Sequence, residues 1–188
     1  MHSLRGTLIL LAILGLAVCP PISADSTTKL LPKLQLQTKK PYGGTLVIGH
    51  SNSPSIINPV LTSSTVSINV ISLVFNRLVQ YDFEGHIQPD LAESWEISAD
   101  GVVYTFRLRR GVRFHDGEEF GAKDVVYTFQ QMMDPKNNSP CFHYLESIKE
   151  LQVLDPYAFR VVLKKPSASF LNVLGREIVP RHLYEKEP

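Results

Sequence analysis

Cysteine is nearly absent from this 188-residue chain. Its two thiols, Cys19 and Cys141, are too few for the disulfide framework of a small exported domain. A bridge between them is not expected, because it would tie a membrane-proximal tether to a domain loop and leave no cysteine for lipid attachment. No apolar run reaches the roughly 20 residues that a membrane-spanning helix needs. The longest, Leu8 to Val18, is broken by Gly15 and stops short. An excess of charge is missing too: 19 Lys and Arg face 18 Asp and Glu, a formal net charge of +1. Arg5 is the only charge before Asp25, so the remainder is neutral. A nucleic-acid footprint would need a clustered basic face; the densest candidate, Arg107, Arg109, Arg110 and Arg113, reads as the solvated side of a strand, and no nucleic-acid partner is expected. Also lacking are HExxH, CxxC, GxSxG and phosphate-loop patterns. His115 and Asp116 are adjacent at a turn, which does not set a base beside a nucleophile. His50 reads as a packed or solvent-touching residue, and the acidic pairs Glu118-Glu119 and Glu185/Glu187 as solvated. Neither an enzyme nor a resident metal or cofactor is expected.

What is present begins with an export leader over residues 1–24, in which the short basic start and apolar run precede a cleavage site. Two sites compete. Leu16-Ala17-Val18-Cys19 looks like a lipobox, which would make Cys19 the lipidated mature N-terminus, although Val18 is bulkier than usual there. Ile22-Ser23-Ala24 would instead suit general signal peptidase. Lipidation by two or more chains anchors a protein stably, each buried CH₂ contributing about 0.8 kcal/mol; the alternative is a freely diffusing product. Residues 25–42, rich in Pro, Ser, Thr and Lys without sustained periodicity, read as a flexible tether. Residues 43–188 carry the domain.

Within that domain, Thr45 to Gly49 alternates as a strand. The polar loop His50-Ser51-Asn52-Ser53-Pro54-Ser55 follows, and Ser51, Asn52, Ser53 and Ser55 are small hydrogen-bonding side chains of the kind that line clefts beyond strand ends. The apolar stripe Val66, Val70, Val74 and Leu78, with Ile71 and Phe75, predicts a helix over about 65–79. A second helix is predicted from Ala122 to Met133, stopped at Asp134 because Pro135 cannot continue it and pushes its predecessor out of the helical region. A helical turn is expected over His143 to Ser147. Ile148 to Leu154 and Tyr157 to Leu163 flank Asp155-Pro156 as an antiparallel hairpin. Ser167 opens a short helix through Leu174, and Arg176 to His182 reads as extended.

The most ordered stretch runs from Pro89 to Val126. Ser94 to Ser98 is predicted as a strand, Ala99-Asp100-Gly101 as a turn, and Val102 to Arg109 as a strand that buries Tyr104, Phe106 and Leu108. Val112 to Phe114 is predicted as a further short strand that leads into the turn His115-Asp116-Gly117. The order Pro89-Asp90-Leu91-Ala92-Glu93-Ser94-Trp95, Asp100-Gly101, Tyr104 to Arg109, Gly111 to Gly117 and Ala122 to Tyr127 resembles the signature of the extracytoplasmic solute-binding protein family 5. These are the peptide, dipeptide, oligopeptide and nickel receptors of ABC importers. The likeness extends, less densely, from about Gly43 to Pro180. One position departs: where the family usually opens its helix with Thr or Ser, this chain has Gly121, a weaker N-cap without a side-chain acceptor.

The resemblance implies an α/β fold, the N-terminal lobe of a type II periplasmic-binding-protein-like architecture. That lobe has a mixed sheet with antiparallel hairpins and flanking helices, and is incomplete. It implies that the 50–55 loop and the loop carrying Tyr144 face a cleft between two lobes. The expected role is the substrate-binding component of an importer for peptides or another small solute, handing ligand to ABC permease subunits. The expected location is periplasmic or lipid-anchored outside the cytoplasmic membrane, and the expected state monomeric. Family members continue far past the position equivalent to Pro188, and the residues that usually fix a ligand's charged ends lie there. This chain alone is therefore expected to bind weakly, since a one-sided cleft cannot bury most of a ligand.

Overall fold

The computed structural model describes residues 44–186. The leader, both cleavage sites, Cys19 and the 25–42 tether lie outside the described residues. Among the described residues, no helix is long and apolar enough to cross a membrane.

Antiparallel pairing organises the body. A four-stranded sheet runs in the order β3 (Ala92–Ile97), β4 (Val103–Leu108), β6 (Ala158–Leu163) and β5 (Ile148–Asp155). A separate hairpin joins β1 (Val79–Tyr81) to β2 (Ile87–Pro89). Strand β4 follows its alternation: Tyr104, Phe106 and Leu108 are buried while Arg107 is exposed. The β3–β4 turn closes as predicted, with Gly101 at φ +69° and the Asp100 carboxylate accepting from the Val102 amide. Register then sets the core. Phe106 lies opposite both Trp95 and Phe159, and the Phe106 and Phe159 rings stack at 4.9 Å between centroids, 10° apart in plane. Each such fully buried ring contributes about 1.5–3 kcal/mol by leaving water.

Helix α2 (Ala122–Met133) covers the sheet with Val125, Phe129 and Met132, and stops at Asp134 as expected. Asp134 adopts extended geometry and its carboxylate accepts the Lys136 amide, opening a 3₁₀ turn over Pro135–Asn137. At the other end Gly121 is required for a reason the cap ranking does not contain. A Cβ there would lie 2.8 Å from the Pro156 carbonyl oxygen, which accepts the Ala122 amide at 2.8 Å. Asp124 closes the turn, one carboxylate oxygen accepting the Gly121 amide and the other the Arg181 amide.

Four local expectations change. Val112 to Phe114 forms no strand, only an isolated bridge from Arg113 to Glu119, because the chain turns back at once through the Phe114–Glu118 hydrogen bond. Thr45 to Gly49 forms no strand, and Leu46, Val47 and Ile48 are exposed; alternation alone does not make a strand, which needs a partner for its ladder. Helix α1 spans Thr65–Val74 rather than reaching residue 79, because Phe75 turns extended and the Asp90 carboxylate takes the Asn76 side chain and the Arg77 amide. Its inward face is also rotated: Ser67 and Ile71 are buried while Val74 is exposed. Lastly, Arg176 to His182 is extended only to Pro180, after which Arg181–Tyr184 forms a helical turn, α5. The shorter turn α3 (Phe142–Leu145) overlaps its predicted stretch but starts one residue before it, and α4 (Phe170–Val173) falls within its own.

Candidate functional site

The polar loop leaves its side chains free. Ser51, Asn52, Ser53 and Ser55 are all exposed, and their hydroxyl and amide groups make no hydrogen bond among the described residues. Immediately after them the chain is pinned. The Asn58 side chain accepts the Val60 amide, and its carbonyl accepts those of Leu61 and Thr62. Buried Val60 offers its carbonyl to the Ser139 hydroxyl at 2.6 Å, and the same hydroxyl oxygen accepts the Cys141 amide. Two segments 79 residues apart are thereby joined. The stem of the polar loop is fixed to the segment that carries Tyr144.

Tyr144 sits on α3, exposed, with the Arg176 guanidinium 5.7 Å from its ring centre. This cation–π contact lays the guanidinium against the ring. Arg176 makes no ion pair among the described residues. Its neighbour is fully committed: buried Glu177 receives both Nε and Nη2 of Arg77, at 2.9 and 2.6 Å, and the two backbones meet in an antiparallel bridge. A hollow of about 190 Å³ opens here, lined by Pro59, Thr62, Ile68, Arg77, Arg176 and Glu177. With two guanidinium groups against one carboxylate, the wall carries one uncompensated positive charge. Its chemistry suits hydrogen bonding and the capture of an anionic group.

The four loop residues and Tyr144 do not line this hollow themselves; they stand on the segments that border it. Arg176 and the Arg77–Glu177 pair were missed in the sequence, where residues 176–182 read only as an extended return. An Arg-Glu dipeptide facing a distant Arg has no local signature, because the pairing spans 100 residues.

A larger recess, about 380 Å³, lies between the 112–120 hairpin and α5, with Phe75, Leu91, Phe114, Phe120 and Leu183 in its wall. Its rim carries Asp116, whose carboxylate meets His182 Nε2 at 2.6 Å. The His182 hydrogen bond, reinforced by the Glu118 amide, holds the Asp116 carboxyl below the usual carboxylate range. Among the described residues no group of three or more His, Cys, Asp or Glu is placed to hold a metal ion.

Comparison with known proteins finds consistent likenesses. The family model for bacterial extracellular solute-binding proteins, family 5 middle region, matches residues 86–183. Heme-binding protein A of Haemophilus influenzae is 36% identical over 196 residues, covering 94% of this chain and 35% of that protein. The dipeptide-binding protein of Escherichia coli is 35% identical, covering 71% of this chain and 28% of its own length. Among solved structures, NikZ from Campylobacter jejuni in complex with Ni(L-His) superposes with a TM-score of 0.67 and 39% identity, covering 72% of this chain and 27% of that one. The chain thus spans about a third of the length of the curated relatives it matches.

Proposed function

The chain belongs to the bacterial extracellular solute-binding proteins of family 5, and from that premise we propose that it serves as part of the substrate receptor of an ABC importer. In this reading residues 48–186 form one wall of a ligand cleft, and the solute is a peptide or a similarly sized polar molecule. Ser51, Asn52, Ser53 and Ser55 offer hydrogen bonds to the ligand, and Tyr144 offers a flat apolar contact backed by Arg176. The observation that supports this is the Ser139–Val60 hydrogen bond, which ties the chain just after the polar loop to the segment leading into Tyr144, whose ring meets Arg176. Pockets of this kind bind by a few placed polar groups against apolar surface.

Delivery would follow from population shift: a permease that contacts the liganded, closed form better draws the receptor toward that form. The product would act outside the cytoplasmic membrane, held there by lipid if Cys19 is acylated and free if cleavage follows Ala24. A second reading is a product with this fold and little affinity of its own, in which a single cleft wall buries too little of a ligand to hold it.

Deleting the gene and measuring uptake of a labelled dipeptide pool, of nickel with L-histidine, and of haem tests the transport reading. Uptake of at least one should fall, and return when the gene is restored. Unchanged uptake of all three would overturn it. Calorimetry on the isolated chain separates the two readings, since micromolar binding of the dipeptide pool would sink the low-affinity one.

A further inference from the structure

At the tip of the β1–β2 hairpin stands Phe83, a fully exposed aromatic ring. An exposed phenylalanine on a floppy loop would fold back on the nearest apolar surface; this one is held out. The Asp82 carboxylate accepts the Glu84 amide at 2.9 Å, the His86 amide at 2.8 Å and the Gln88 side chain at 2.9 Å. The backbone closes beneath the ring through Asp82 N to His86 O and Gly85 N to Asp82 O. Gly85, at φ +85°, takes a conformation that other side chains resist. These hydrogen bonds also keep Asp82 ionised, since they hold its carboxyl below the usual range, the His86 amide contributing most.

The two side chains that flank the ring in sequence, Asp82 and Glu84, are both acidic. They belong to a stretch, Leu78 to Phe106, that has Asp82, Glu84, Asp90, Glu93, Glu96 and Asp100 but no lysine or arginine, in a protein whose charges balance only over the whole chain. Among the described residues, no Lys or Arg side chain is ion-paired with any of these carboxylates; His86 alone approaches, 3.4 Å from Asp82 and 3.6 Å from Glu84. A rigid aromatic knob with a negative collar has a definite complement. Aromatic anchors dominate binding when preorganised and seated in a pocket, and surrounding charges select the partner and speed its approach. An anionic bilayer would repel this collar, so a protein recess is favoured over a lipid surface.

We propose that Phe83 is a docking knob that inserts into an apolar recess rimmed by Lys or Arg on the outward face of the importer's membrane subunits. The inference rests on the transport reading and adds to it a specific point of contact, on a hairpin remote in sequence from the ligand-facing residues. Because the ring is fully exposed and takes no part in the core among the described residues, its removal leaves the fold intact.

The test uses the fluorescently labelled full chain with right-side-out membrane vesicles from the source cells. Protein-free vesicles containing anionic lipid, and native vesicles stripped with protease, serve as comparisons. Saturable binding to native vesicles should be lost on stripping, be absent from lipid alone, and weaken with salt. Phe83→Ala should weaken it about tenfold or more, Phe83→Trp should preserve it, and Glu84→Lys should slow association several-fold, all with unchanged melting temperature. No binding to native vesicles, equal binding by Phe83→Ala, or equal binding to lipid alone would each overturn the proposal. If uptake depends on the gene while Phe83→Ala still docks normally, only this inference fails; if uptake never depends on the gene, the transport reading fails with it.

Discussion

Replacing Gly121 by serine sets two effects against each other at the start of α2, and their sizes decide the outcome. As an N-cap, serine offers an acceptor that glycine lacks, an advantage of a few tenths of a kcal/mol. Against this stands the Cβ that any other residue brings. It would sit 2.8 Å from the Pro156 oxygen, where an ordinary contact begins at 3.4 Å, so the carbonyl must retreat by about 0.6 Å. That carbonyl is the acceptor for Ala122, and moving it stretches a 2.8 Å hydrogen bond worth about 0.5–1.5 kcal/mol. Overpacking a tight site adds roughly 1–3 kcal/mol. The clash therefore wins, and Gly121→Ser should destabilise the protein by about 2 kcal/mol, or lower its melting temperature by roughly 4–8 °C for a chain of this size. Urea denaturation followed by far-UV circular dichroism measures the difference, with Gly121→Ala as companion because it carries the same Cβ without the hydroxyl. The two variants should lose similar stability. A serine variant as stable as the parent, or more so, would refute the close-approach argument and restore the simple cap ranking.

Glu177→Gln should cost about 1–3 kcal/mol in the same assay, below the ~3–5 kcal/mol of a fully buried pair because Arg77 is 30% exposed and water can replace part of the interaction. A variant within error of the parent would show that the bridge is held by its backbone alone. The Asp116 carboxyl, held low by His182, contributes stability that is complete above the unfolded carboxylate value near ~3.9 and fades as pH falls through the lower folded value. His182→Ala should therefore raise the Asp116 titration midpoint toward its ordinary value, followed by carboxyl carbon NMR shifts; an unmoved midpoint would mean that the Glu118 amide, not His182, sets it.

Local order was legible in this chain wherever one side of an element is buried and the other wet. Strand β4 shows it best: Tyr104, Phe106 and Leu108 alternate with polar residues because the sheet covers one face only, and the pattern transfers directly to structure. Helix α2 was bounded just as clearly, its end set by the chemistry of Pro135. Where the decisive partner is distant, the pattern misled. The stripe through Leu78 is continuous, yet α1 stops at Val74, because Asp90 captures the Asn76 side chain and the Arg77 amide, and Leu78 goes to the core from the bend between α1 and β1. A single periodic stripe can run from a helix into the connection after it, and only the long-range acceptor reveals the break. The candidate site divides along the same line. Its polar loop and Tyr144 are visible from residue type, since unsatisfied small polar groups and an aromatic in a loop are local properties. Arg176 becomes meaningful only once Arg77 neutralises Glu177 across the fold, leaving one guanidinium without a carboxylate. Charge in a binding wall is a difference between pairs, and a sequence lists charges without saying which of them cancel.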